Sequence, residues 1–270
     1  MGSEMCIRDR TMGFLLSLVV LVPVAWALLG TPGAEDVAAW ALANAPVVAP
    51  SAAVPSAGLL AAVLVGTVLG AGRARVATTH VSTVAHELGH GLVAGLMGGQ
   101  VTSLRMHRDG SGVAYTRWRS GRPVAAFVVS AAGYLAPGTV ALAGMNVVLV
   151  GLGALWLAHL VTVSALALVL SIRSWWGALV VVGLGAAGWA VLAVAPSAAA
   201  PLVVAGLSGV LAGGGAIDAL GQWRLRTRDP GLDAAAMAAQ TGLPIAVFAG
   251  FHLLAATVLA VATLTVPLWA

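Results

Sequence analysis

Lysine is absent from this chain, so all thirteen of its basic side chains are arginine. Charge of either sign is scarce: only 8% of 270 residues are charged while 60% are hydrophobic, and mean hydropathy is +1.00. Such a composition excludes a soluble globular surface and points to a multi-pass membrane protein. A net charge of +4 spread thinly between apolar segments also excludes a nucleic-acid surface, so no nucleic-acid partner is expected. The single cysteine, Cys6, lies in "MGSEMCIRDR", where "MCIRDR" looks like the translation of a transposon adapter used in preparing DNA libraries. Residues 1–10 are therefore read as adapter-derived rather than native, with Met12 as one candidate start. The rest of the chain has no thiol for a disulfide, an iron–sulfur cluster or a cysteine nucleophile. A metal site here must use His, Asp or Glu.

What is present in quantity is apolar helix. Spanning the hydrocarbon layer takes about 20 apolar residues, and stretches at 13–30, 52–72, 76–98, 123–143, 147–170, 176–195, 202–222 and 245–269 qualify. The fold class expected is thus an all-α transmembrane bundle of about seven or eight segments, with 11–75 as an N-terminal transmembrane hairpin. The 34 glycines fit close helix contact in lipid, and the run Gly213 to Gly215 marks a candidate helix break. Trp175, Trp176, Trp223 and Trp269 fall near segment ends, where indole rings prefer the headgroup level. A Pro/Ala-rich connector occupies 31–55.

Two loops concentrate the arginines, one with Arg105, Arg108, Arg117, Arg119 and Arg122, the other with Arg224, Arg226 and Arg228. The positive-inside rule places both in the cytoplasm. Arg73 and Arg75, at the start of the 76–98 segment, conflict with this unless that segment is re-entrant or the pair lies outside; the longer loop favours a full crossing. "QVTSLRMHRDGSGVAYTRW" (100–118) alternates in strand fashion about a turn at Asp109 and Gly110, which predicts a small cytoplasmic β-hairpin.

Within the apolar segment 76–98 stand His86, Glu87 and His90, spaced H-E-x-x-H. Histidines at i and i+4 share a helix face and can grip one metal ion. Two neutral imidazoles leave zinc with open positions, for a third protein ligand and for a water whose pKa falls to roughly 7. A neighbouring carboxylate, Glu87, can then take the proton. With six histidines and three glutamates in the chain, chance assembly of the motif is roughly one in a thousand. An ionisable group in a spanning helix also costs about 2.5–3.5 kcal/mol, so it is a functional candidate by default.

Elimination among the nine acids suggests the third ligand. Glu4 and Asp9 belong to the leader, Glu35 and Asp36 to the connector, Asp109 to the hairpin, and Asp229 and Asp233 to a loop. Only Glu87 and Asp218 remain inside apolar segments. The expected site is therefore His86, His90 and Asp218 around one zinc ion per chain, with Glu87 as base. The alternative for Asp218 is a helix-end carboxylate paired with Arg224 or Arg226. The hydrolase reading is staked on the Asp218 carboxylate of the penultimate pass lying close enough to both imidazoles to share an ion.

"HELGH" in a membrane helix, a polar hairpin after it, "AAGYLAPG" opening the next helix and a late intramembrane aspartate together resemble the site-2 protease family of intramembrane zinc metallopeptidases. "LDAAAMAAQTGLP" (232–244) is similar to its B-like bacterial branch. The resemblance covers about Thr79 to Ala256 and implies that 76–270 is an intramembrane metalloprotease core with C-terminal helices. It implies that two histidines and a distant aspartate hold zinc while the glutamate activates water. The family commonly shows Leu-Asp-Gly at the aspartate, where this chain has Ile217, Asp218 and Ala219. It further implies a location in the bacterial cytoplasmic membrane and a transmembrane segment of another membrane protein as substrate, while the arginine loops put Asp218, and His90 if its helix crosses fully, in the cytoplasmic half.

Lesser candidates follow. The hairpin residues Val101, Leu104, Val113 and Tyr115 offer a strand edge that could hold substrate in extended form; Arg105 or Arg117 could instead bind lipid phosphates. Asn146 and Tyr134 are candidate oxyanion donors, or else helix-contact hydrogen bonds, the reading also given to His80, His159 and His252. Water must reach the site, which calls for a polar channel from the cytoplasmic side. Two rival functions are a catalytically inactive regulator or adaptor on the same scaffold, and a metal or proton transporter, for which further intramembrane acids are missing.

Overall fold

A computed structural model of the chain describes residues 54–117 and 123–268. The segment at 13–30, the leader with Cys6, most of the 31–55 connector, Arg119, Arg122 and Trp269 lie outside the described residues. The elements in order are α1 (Ser56–Ala71), α2 (Arg75–Leu96), β1 (Gln100–Met106), β2 (Gly112–Arg117), α3 (Pro123–Leu149), α4 (Gly153–Leu170), α5 (Trp175–Val194), α6 (Ala199–Leu225), α7 (Asp233–Thr241) and α8 (Ile245–Thr265). A short 3-10 turn (Val266–Leu268) follows α8.

Among the described residues five helices, α3 to α6 and α8, are long and apolar enough to cross a bilayer, and α1 with α2 makes a sixth if the pair counts as one span. That is fewer than the seven or eight expected. One expected segment lies outside the described residues; two others, 52–72 and 76–98, form helices joined by a 96° bend at a short break and pass as a span only when taken together. The break falls at Gly72 to Ala74, with Arg73 inside it and Arg75 opening α2, the two arginines that made the sequence reading ambiguous. Gly213 to Gly215 do not break a helix; they lie within continuous α6.

Small residues set the packing. Gly66 and Gly70 of α1 face Gly209 and Gly213 of α6: a Cβ on Gly213 would come 2.7 Å from the Thr67 carbonyl oxygen. This small-xxx-small spacing on both helices lets the backbones touch, which is how helices adhere in lipid without a hydrophobic drive between them. The central helix is α6, with 67% of its span buried.

α2 ends in a Schellman motif. Gly98 takes φ +74, its N–H bonds to the Gly95 carbonyl at 3.1 Å, and the Gly99 N–H bonds to the Ala94 carbonyl at 2.8 Å. The chain thereby reverses into β1, and the antiparallel hairpin lies back along α2 rather than projecting from its end. At the tip, Thr83 Oγ1 donates to the Gly110 carbonyl at 2.6 Å; at the base, Val101 packs at Gly91. The tip is the expected turn: Gly110 has φ +85, and the Ser111 amide and hydroxyl both donate to Asp109, holding its exposed carboxyl below the usual range.

Candidate metal centre

α2 carries His86, Glu87 and His90 at successive positions of one and a bit turns, and α3 crosses it closely enough that a Cβ on Gly89 would meet Ala136 at 2.5 Å. The third element is α7. Its apolar stripe, Ala234 and Met237, is buried against Phe248 and Ala249 of α8, with Phe127 and Ala131 of α3 packed around it. That burial draws the chain after α6 back toward the bundle and sets Asp233, the first residue of α7, against the two imidazoles.

The Nε2 atoms of His86 and His90 are 3.0 Å apart, and Asp233 Oδ2 lies 3.2 Å from the first and 3.3 Å from the second. A tetrahedral ion with bonds of about 2.0–2.1 Å holds its ligand atoms about 3.3–3.4 Å apart, so this triangle has the size a zinc site requires. The chemistry of the donors agrees. His90 Nδ1 donates to the Val129 carbonyl at 2.7 Å, which leaves its Nε2 lone pair turned toward the other two atoms. Three electron-rich atoms this close repel one another unless a cation or proton lies among them. Gly133 of α3 completes the cradle: a Cβ there would come 2.6 Å from His86 Nε2 and 2.5 Å from His90 Cε1, so only glycine leaves the space beside the ligand atoms free. Pro137, one turn on, has no N–H to give the Gly133 carbonyl, which loses its helix partner beside the site.

Asp218 is not among these ligands. Its carboxylate forms an ion pair with Arg75 and accepts from Ser82 Oγ at 3.0 Å, tying α6 to the start of α2. The expectation that Asp218 joins the two imidazoles, on which the hydrolase reading was staked, therefore fails; the carboxylate that lies within reach of both is Asp233. The partner of Asp218 is also neither Arg224 nor Arg226. The elimination failed because it treated the whole stretch after α6 as solvated loop, whereas α7 folds back. A signal was present: Leu232, Asp233 and Ala234 match the family's Leu-Asp-Gly better than Ile217, Asp218 and Ala219 do, and Ala234, Met237 and Ala238 form an i, i+3, i+4 stripe.

Asp233 lies outside the spanning helices. Burial pushes its carboxyl up, but without an ion Nε2–H hydrogen bonds from His86 and His90, and their charge, outweigh that and hold it well below the usual carboxylate range. Glu87 is buried, meets the backbone at Ala114, and leaves Oε2 with no hydrogen-bond partner. The side chains of His86 and Asp233 remain 19% and 22% exposed. A cavity of about 830 Å³ lies elsewhere, on the other face of α2, lined by Val84, Leu88, Trp156 and His159 but by none of the four site residues.

The remaining candidates separate. Tyr134 reaches the site through its ring, edge to face with His86 at 4.7 Å, while its hydroxyl lies against Gln222. Asn146 does not reach it: its Nδ2 donates to the Leu142 carbonyl of its own helix at 3.0 Å, and it stands about 18 Å further along α3 than Tyr134. His80 bonds Trp176 across helices, Trp176 Nε1 donating at 2.7 Å. Gln222 and His252, fully buried beside Tyr134, join the surroundings of the site unannounced by any motif.

The two outer edges of the hairpin differ. Leu104 is paired on its outer side, its N–H to the Ser171 carbonyl at 2.8 Å and its carbonyl from Arg173 N–H at 3.0 Å. The outer edge of β1 is therefore occupied at Leu104, contrary to its expected role in holding a substrate strand. Because Leu104 faces Ala114 and both its backbone groups point away from β2, Ala114 must likewise point its groups away from β1. On that outer side the Ala114 amide meets Glu87. Val113 pairs with Arg105, and Tyr115 is exposed with the Arg105 guanidinium 5.7 Å above its ring. Val101 packs against α2 at Gly91.

The family described as Peptidase M50B-like matches residues 54–263, most of the chain. No match was found among curated proteins or among solved structures.

Proposed function

The chain belongs to the Peptidase M50B-like family, and from that premise we propose that it is an intramembrane zinc protease hydrolysing peptide bonds in or near transmembrane segments of other membrane proteins. The observation that carries the reading is the triangle of His86 Nε2, His90 Nε2 and Asp233 Oδ2 with sides of 3.0 to 3.3 Å beside a buried carboxylate. His86, His90 and Asp233 hold the ion. When bound, zinc supplies a Lewis acid that acidifies water and polarises a carbonyl oxygen. Glu87 Oε2, unpartnered and buried, takes a proton from the attacking water and later delivers it to the leaving amine.

A helical substrate hides its scissile carbonyl in its own hydrogen bonds, so it must unwind before attack. The Ala114 carbonyl on the outer side of β2 offers a replacement bond to an extended peptide, next to the Glu87 that the Ala114 amide already meets. Strand addition here thus couples unwinding to delivery. The arginine loops favour a site in the cytoplasmic half of a bacterial cytoplasmic membrane.

The test compares cells expressing the wild type with cells expressing Glu87→Gln. Truncated membrane proteins present only with the wild type, together with equal zinc in both purified proteins, support the protease. Identical fragment patterns refute catalysis and leave a regulator on the same scaffold.

A further inference from the structure

A histidine ligand needs its ring orientation fixed as well as its position, and that task normally falls to a hydrogen bond on the nitrogen away from the metal. His90 has one, from Nδ1 to the Val129 carbonyl at 2.7 Å. Among the described residues His86 makes no such bond, although its Nε2 must meet the same two partners. What meets its ring instead is Tyr134, 4.7 Å between centroids and 88° between planes. Tyr134 is itself clamped: its other neighbour is the His252 imidazole, stacked at 4.9 Å and 17°, and its hydroxyl lies against the Gln222 amide. His252 Nδ1 and Gln222 Oε1 are joined at 2.8 Å, locking both side chains at 0% and 1% exposure.

This arrangement is poor packing for its own sake. His252 Nε2 is buried with no hydrogen-bond partner, a penalty that an apolar side chain of similar size avoids. The chain of contact runs from α6 (Gln222) and α8 (His252) through α3 (Tyr134) to the one ligand that lacks an orienting bond. We infer that Gln222 and His252 are positioning residues for His86, acting through the ring of Tyr134. The inference rests on the reading of His86, His90 and Asp233 as a metal site, and it adds that α6 and α8 set the rotation of one ligand.

The test is zinc affinity of the full chain in detergent, by competition with a chromophoric chelator, together with the visible spectrum of the cobalt-loaded protein. Tyr134→Ala and His252→Ala are expected to weaken zinc by about 10–100-fold and to shift the cobalt bands, as loss of outer support does elsewhere. Gln222→Leu, which keeps the volume, moves both in the same direction. Tyr134→Phe, which keeps the ring, stays near the wild type. Because His252 acts through Tyr134, adding His252→Ala to Tyr134→Ala brings no further loss. Met145→Ala, a cavity in the same helix remote from the site, controls for simple destabilisation and leaves affinity unchanged. Wild-type affinity and spectra in Tyr134→Ala, His252→Ala and Gln222→Leu, with zinc lost in His86→Ala, overturn this inference while sparing the metal site. Zinc retained in His86→Ala overturns both.

Discussion

Replacing Gly133 with alanine tests the site without removing any group that could bind metal. The added methyl would sit 2.6 Å from His86 Nε2 and 2.5 Å from His90 Cε1, nearly 1 Å inside the roughly 3.5 Å at which carbon and nitrogen normally touch. Relief must come from the rings or the helices. The His90 ring is held by its 2.7 Å bond to Val129, and α2 cannot shift easily where Gly89 already touches Ala136. Overpacking of this kind costs about 1–3 kcal/mol. Alanine in place of glycine in a helix returns about 1 kcal/mol of backbone propensity to the metal-free fold, so the melting temperature of that form changes little. Ligand placement tolerates only about 0.5 Å of error, so the strain falls on the ion. Taken wholly as lost affinity, 1–3 kcal/mol is about a 5- to 150-fold weaker zinc dissociation constant. Chelator competition measures the affinity, and thermal melting of the zinc-free protein measures the fold. Unchanged zinc affinity in a folded Gly133→Ala protein refutes the reasoning, because the space beside the ligand atoms would then have no role.

Gly112→Val places a side chain where a Cβ would already be 2.8 Å from Glu87 Oε1, so peptide cleavage is expected to fall at least about tenfold while zinc content stays at the wild-type level; loss of zinc with activity contradicts the separation of base from ligands. The Asp233 carboxyl has a folded pKa below its unfolded value, so in zinc-free protein it contributes stability that is present above about pH 3.9 and is lost as pH falls through the folded value. Melts of the wild type and Asp233→Asn should therefore converge as pH drops below about 4, and a gap that persists or widens on acidification contradicts this.

The parts of the site legible in the sequence were those within one helical turn. His86, Glu87 and His90 declare themselves because their spacing fixes a shared face before any tertiary contact exists. The hairpin was legible for the same reason, through Asp109 and Gly110, but its placement along α2 depended on the reversal at Gly98 and on Thr83 meeting the Gly110 carbonyl. Asp218 illustrates the limit. Its depth in an apolar helix was correctly read as requiring a partner, yet hydropathy could not choose between an ion and a guanidinium 143 positions away. Asp233 was hidden by the opposite error, since a polar stretch between spans looks solvated until the packing of Ala234 and Met237 under Phe248 is seen. Gln222 and His252 carry no spacing rule at all; only the assembled bundle brings them to Tyr134.

Zinc content of the purified protein, compared between Asp233→Ala and Asp218→Ala, tests the centre most directly. The account predicts that Asp233→Ala loses most of its zinc, while Asp218→Ala, deprived only of its tie to Arg75 and Ser82, keeps a full complement. Full zinc in Asp233→Ala with loss in Asp218→Ala contradicts it.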